Sequence, residues 1–212
     1  DVQISADGEA MVHHDDALGR LTEGSGALAD MSAAAIQAVR FKRGGDRILT
    51  LRQLCELVAG RTPLVIELKS RFDGDLRLVK RAAEVLAGYN GPAAVMSFDP
   101  APIAMARELA PALTRGIVAE RYYRHHESDA LSRTTKLELA FLLHAPRTRP
   151  QFIAYSVKDL PALAAMTARH VFGLPLLTWT VRNHRDRAAA ARYSDQMIFE
   201  GFRPKIASIK KS

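Results

Sequence analysis

The sequence predicts a parallel α/β fold, and three observations carry that prediction. Short runs of strand character alternate with segments of helical spacing through most of the chain. The strand runs are apolar along their length, the pattern of strands buried on both faces of a parallel sheet. Repeated strand–helix units of this kind build a sheet with helices packed on it.

Taken in order, Val2 to Ile4 offers the tail of a first strand. Ser5 to Thr50 is different in character. It carries Asp7-Gly8, Gly19, Gly24-Ser25-Gly26 and Gly44-Gly45, with one helical stretch from Ser32 to Val39, and reads as a loop-rich insertion over about residues 6–49. From Pro63 the alternation is regular. The strands are Pro63–Lys69, Ala93–Phe98, Arg115–Ala119, Phe152–Tyr155, Leu174–Val181 and Gln196–Phe199. The helices between them are Leu76–Leu86, Ala101–Leu109, Ala130–Leu143, Leu160–Arg169 and Arg185–Arg192. With Val2–Ile4 the count is one strand short of a closed eight-stranded barrel. Two architectures fit: an open doubly wound sheet, or a barrel without its first strand–helix unit. No Gly-x-Gly-x-x-Gly follows any strand, which counts against a dinucleotide-binding sheet. No linker divides the chain, so residues 1–212 read as a single domain.

Size and composition allow this. A chain of 212 residues with 48% hydrophobic and 25% charged residues can bury a sizeable core. Cys55 is the only cysteine, which removes intrachain disulfides and cysteine-built zinc sites; it lies in the apolar stretch Leu51–Val58 and reads as a buried thiol. The net charge of +7 favours anionic partners such as phosphate esters, nucleic acid or an acidic membrane surface. The basic residues are scattered, however. Short clusters such as Arg40, Lys42, Arg43 and Lys210, Lys211 read as solvated surface, and no nucleic-acid motif is present. No apolar run approaches the roughly 20 residues that a membrane-spanning helix needs. The chain starts at Asp1 rather than Met, which leaves the compartment open.

In parallel barrels the reacting groups sit at the C-terminal ends of the strands. Here those positions hold Asp1, Glu67, Lys69, Ser97, Glu120, Ser156, Thr178, Trp179, Thr180 and Glu200. Carboxylates with a lysine at one barrel mouth suit a hard divalent cation and a phosphate, Mg²⁺ or Ca²⁺ before zinc. A second concentration is His13-His14-Asp15-Asp16, where a histidine beside carboxylates can act as acid, base or metal ligand. His125-His126-Glu127 is similar and reads as a solvated loop on the same face.

Several of these motifs occur in the order found in one family. Asp1-Val-Gln-Ile with Asp7-Gly8, then Val12-His13-His14-Asp15-Asp16-Ala-Leu18-Gly-Arg20 and Thr22, resembles the glycerophosphodiester phosphodiesterases. Leu49-Thr50-Leu51 with Leu54 is similar to the family's Pro-Thr-Leu helix start. Val65-Ile66-Glu67-Leu68-Lys69 is similar to its Ile-Glu-Ile-Lys strand, Ser97-Phe98 to its Ser-Phe strand end, and Trp179-Thr180-Val181 with Asn183 to its Trp-Thr-Val-Asn motif. The resemblance implies a TIM (βα)8 barrel with a small insertion after the second strand and the first βα unit missing from this chain. It implies metal-dependent hydrolysis of glycerophosphodiesters to glycerol 3-phosphate and an alcohol. By position, Asp1 and Glu67 would be metal ligands for Mg²⁺ or Ca²⁺, Lys69 a phosphate contact, Trp179 part of the substrate wall, and His14 rather than His13 the catalytic histidine. The partner implied is a small-molecule phosphodiester, with no nucleic acid.

The departures are equally specific. The family's opening His-Arg-Gly and Pro-Glu-Asn-Thr, which supply a second histidine, an arginine and a further glutamate, have no counterpart between residues 1 and 212. Glu200 stands where the family commonly has aspartate. Two rival readings therefore stay open: a related lysophospholipid phosphodiesterase, and a degenerate barrel used for binding. A barrel lacking one unit would expose two sheet edges. The expectation is that a second copy, a rearranged segment or further residues cover that gap.

Overall fold

The computed structural model describes residues 1–123 and 128–204. Its centre is a six-stranded parallel sheet: β5 (Leu64–Glu67), β6 (Ala93–Ser97), β7 (Thr114–Ala119), β8 (Phe152–Ser156), β9 (Leu176–Val181) and β10 (Gln196–Phe199). Each strand pairs with the next in sequence, so the sheet order is the chain order. The N-terminal segment adds to the β5 edge in parallel. Val2 bridges Leu68, donating its N–H to the Glu67 carbonyl at 2.9 Å and accepting the Lys69 N–H at 3.1 Å.

Helices α3 (Arg77–Ala87), α4 (Pro100–Leu109), α5 (Arg133–Ala140), α6 (Ala145–Thr148), α7 (Leu163–His170) and α8 (His184–Tyr193) form the crossovers. Alternation along the strands then separates two faces. Ile66, Val95, Ile117, Ile153 and Leu176 face the helices. Met96, Val118, Phe152 and Ala154, with Leu177, Trp179 and Ile198, pack together on the other face, as inward-facing residues of a curled sheet must. At Gly116 a Cβ would stand 2.3 Å from the Phe152 ring, so only glycine lets that ring lie across β7.

The stretch from residue 5 to 50 holds more order than its glycine content suggests. β1 (Gln3–Ile4) pairs antiparallel with β2 (Ala10–Met11), and β3 (Ala17–Leu18) with β4 (Gly26–Ala27). Helix α1 (Ala33–Ala38) is capped by Ser32, whose Oγ accepts the Ala35 N–H. Met11, Leu18, Leu28, Ile36 and Ile48 form a small core of its own. The reading of a loop-rich segment with one helical stretch is therefore corrected: two hairpins also stand there. Helix α2 (Leu51–Val58) then begins with a full capping box, Thr50 Oγ1 accepting from Gln53 N while Gln53 Oε1 accepts from Thr50 N. Cys55 is buried within it.

Two helix boundaries also differ from expectation. The stretch predicted as one helix over Ala130–Leu143 starts at Arg133, because Ser132 caps it, and α6 follows as a separate short helix with Pro146 in its first turn. Leu142, between them, sits in the left-handed region at φ 58°. The predicted helix over Leu160–Arg169 starts only at Leu163, beyond Pro161. No helix among the described residues is long and apolar enough to cross a membrane.

Candidate active site

The C-terminal end of β5 supplies the densest charge. Glu67 and Lys69 are two residues apart in an extended segment, so both side chains leave the same face. Lys69 Nζ stands 2.8 Å from Glu67 Oε1 and 3.6 Å from Asp1 Oδ1, with Asp1 brought in by the Val2–Leu68 bridge. The lysine and glutamate side chains are each 13% exposed. Glu67 Oε1 is buried and receives no aligned hydrogen bond, even with the ammonium so close. Of the predicted site residues, these three are brought together. Gln3, Asp16, Ser70 and Arg71 line a cleft beside Lys69.

The two adjacent histidines part company. His13 is 5% exposed, lies near the Phe41 ring, and leaves Nε2 without a partner. Burial pushes its pKa down, against the opposing pull of Asp15, so it is a neutral packing residue. His14 points outward. Its Nδ1 lies 2.8 Å from Asp15 Oδ1, and Asp15 in turn accepts two hydrogen bonds from Arg20 at 2.6 and 2.7 Å. The Arg20 guanidinium holds the Asp15 carboxyl far below the usual carboxylate range. Asp15 thus stays anionic and holds the imidazole through one nitrogen. One link ties this loop to the barrel end: Gln3 Nε2 donates to the His14 carbonyl at 3.0 Å.

Trp179 lies on the inner face of β9. Its Nε1 donates to the Ala154 carbonyl at 3.1 Å, and its ring meets Phe98 edge-to-face at 5.3 Å. Phe98, just beyond β6, also meets Tyr123 edge-to-face at 6.1 Å, and Phe72 from the loop after Lys69 packs on the same group. An aromatic wall therefore runs from the loop after β5 to β9. Sequence reading singled out Trp179 and, through the Ser-Phe motif, Phe98. Phe72 and Tyr123 come from irregular segments whose spacing carries no signal.

Other strand-end residues have structural duties. Ser97 Oγ donates to the Leu68 carbonyl at 2.7 Å, and Thr178 Oγ1 to the Tyr155 carbonyl at 2.8 Å. Glu200 accepts from Arg182 at 2.9 Å. The His125-His126-Glu127 cluster lies outside the described residues.

Residues 1–202 match the glycerophosphoryl diester phosphodiesterase family. The chain belongs to that family. A glycerophosphodiester phosphodiesterase of Caldanaerobacter subterraneus subsp. tengcongensis is 30% identical over 127 residues, 56% of this chain and 52% of the relative. The matched region thus spans about half the length of that relative. Among solved structures, an Oleispira antarctica phosphodiesterase in complex with the product sn-glycerol-3-phosphate superposes with a TM-score of 0.75 at 18% identity, over 93% of this chain and 78% of that one. A glycerophosphodiester phosphodiesterase from Thermotoga maritima gives 0.67 at 18% identity over the same shares. At such identity these likenesses speak to the fold, which is the (βα) barrel of the family.

Proposed function

We propose that this family member hydrolyses glycerophosphodiesters to glycerol 3-phosphate and an alcohol. The observation that carries the reading is the convergence of Asp1, Glu67 and Lys69 at the end of β5. The product bound by the Oleispira antarctica phosphodiesterase supports the substrate class.

Among the described residues no group of three His, Cys, Asp or Glu side chains gathers. Asp1 and Glu67 form a pair, and the buried, unbonded Glu67 Oε1 is a hard anionic donor. That set fits Mg²⁺ or Ca²⁺, since Mg²⁺ is commonly held by one or two carboxylates together with waters and substrate phosphate. When bound, such a cation polarises a phosphoryl oxygen and offsets the charge developing there.

The chain's own groups do the rest. Lys69, already poised between two carboxylates, binds a phosphate oxygen through its ammonium. Phe98 and Trp179 give the organic part of the substrate an apolar wall and keep bulk water from that side. Water attacks phosphorus and the bond to the alcohol oxygen breaks; His14 gives that oxygen a proton from Nε2, and the proton that the attacking water loses passes to solvent, from which His14 is reprotonated. Asp15 holds the ring through Nδ1, and Arg20 holds Asp15.

The test is His14→Ala, assayed on glycerophosphocholine with Mg²⁺ or Ca²⁺ added. General acid catalysis is typically worth about 10²–10⁴-fold, and a loss of that size is expected with metal affinity unchanged. Full activity in the variant would sink the proton-transfer role. Recovery by excess metal would make His14 a metal ligand instead.

A further inference from the structure

At the other end of the barrel four arginines lie along neighbouring elements, and none of them forms an ion pair with a carboxylate among the described residues. Arg115 is the second residue of β7, Arg107 lies in the last turn of α4, and Arg147 and Arg149 lie at the end of α6. The β7 and β8 strands start here, so this is the face opposite the one that carries Glu67.

Arg115 is only 9% exposed. Its Nε donates to the Thr148 carbonyl at 3.3 Å, and its Nη1 to the Pro111 carbonyl and to Gln151 Oε1, both at 3.4 Å. Its Nη2 has no partner among the described residues, and the three contacts it does make are long for a charged donor. Arg107 reaches the same spot, its Nη1 donating to the Arg147 carbonyl at 2.9 Å. Arg149 sits in the left-handed region at φ 43° and makes no side-chain bond or ion pair among the described residues. Arg107 and Arg149 are near enough to repel the Arg115 charge. Glu108, next in sequence to Arg107, pairs with none of them among the described residues.

Capping the last carbonyls of α6 explains one N–H each from Arg107 and Arg115, but it neutralises no charge. An arginine stays protonated in proteins, and a buried charge without a counter-charge is costly. Two guanidinium groups held on successive carbonyls at the end of α6, with Arg149 next in the chain, present donors of the kind that phosphate oxygens match. We propose that Arg107, Arg115 and Arg149 form a second anion site, remote from the barrel mouth, that takes a phosphate-bearing ligand. The ligand class, a multiply charged phosphate, has two possible sources: a soluble phosphorylated molecule or an anionic lipid headgroup.

The experiment uses the whole chain in the Lys69→Met background, which weakens the mouth as a phosphate site. Inorganic pyrophosphate is titrated calorimetrically with and without Arg107→Gln plus Arg149→Gln. Arg149 is exposed and Arg107 half-buried, and both substitutions spare buried Arg115. Binding that survives Lys69→Met and weakens about tenfold or more in the double arginine variant supports the site. No binding, or binding indifferent to the arginines, overturns it. In a second arm, wild-type and arginine-variant chains are sedimented with phosphatidic acid or pure phosphatidylcholine vesicles. Loss of phosphatidic acid binding in the variant assigns the site to a headgroup; pyrophosphate binding without vesicle binding assigns it to a soluble anion. Glycerophosphocholine hydrolysis should be unchanged by the two arginine substitutions in an otherwise wild-type chain. That readout separates a failure of this site from a failure of the hydrolase reading.

Discussion

Glu67 holds an anionic charge in a nearly closed site and relies on a lysine to make that tolerable. Its Oε1 is within 2.8 Å of Lys69 Nζ yet accepts no aligned hydrogen bond. Such an oxygen is already stripped of water, which lowers the cost of binding a cation there. Glu67→Gln keeps the shape and removes the charge. Calorimetric Mg²⁺ or Ca²⁺ titration should show a loss of affinity, and activity should fall with it and return in part at high metal. Undiminished metal binding in Glu67→Gln would remove the carboxylate from the metal site. At this scale the sequence was legible where a strand end puts charges two residues apart, as in Glu67 and Lys69. The choice of His14 over His13 came only from the family motif, because both histidines sit in the same polar run; the structure buries His13 and leaves His14 exposed. Burial separates them, and burial of His13 depends on Phe41 and a hairpin that a sequence window does not see. Ser97 and Thr178 show the converse. Their position suggested chemistry, but their hydroxyls serve backbone carbonyls.

At the scale of elements, each parallel strand appears where its apolar run predicted. A strand buried on both faces must be apolar throughout, so composition alone marks it. Apart from Val2–Ile4, the hairpins of residues 3–27 left no such mark. Their strands are two residues long, too short for any period to register. What holds that segment is side-chain anchoring. Arg81 of α3 donates to both oxygens of Glu9 at 2.9 and 2.8 Å, fixing the first hairpin turn against the barrel helices. Helix α2 closes the segment, and its start depends on the Thr50–Gln53 capping box. Thr50→Ala should cost about 1 kcal/mol of stability. Thr50→Ser, which keeps the hydroxyl, should restore most of it. Chemical denaturation of the three chains tests this, and an unchanged midpoint in Thr50→Ala would mean that α2 is held by packing of Leu51 and Cys55 instead.

For the molecule as a whole, strand order follows chain order, and the sheet curls around the Met96, Val118, Phe152 and Ala154 cluster. Among the described residues, β10 has a strand neighbour on one side only, and Val2 is joined to the sheet by a single bridge to Leu68. Val65 faces inward beside that bridge and is 48% exposed, as expected where no neighbouring strand covers the interior. The sequence count of strands indicated such an opening, but neither period nor composition could tell a curled sheet from a flat one; the family motifs did. Within residues 1–212 β10 is an edge strand among the described residues, and that sets an order of local stability for this chain taken by itself. A strand paired on both sides opens only with its neighbours, whereas an edge strand can detach by losing one ladder. In native-state amide exchange, β7 and β8 should be the most protected. The β10 amides that bond to β9 should exchange about 100-fold faster or more, a gap corresponding to roughly 3 kcal/mol. Measurement at two protein concentrations makes the outcome decisive. Equal protection of β10 and β7 at both concentrations would mean that the edge is not open within one chain. Protection of β10 that rises with concentration would show a second copy pairing along it, the hazard that an exposed edge carries.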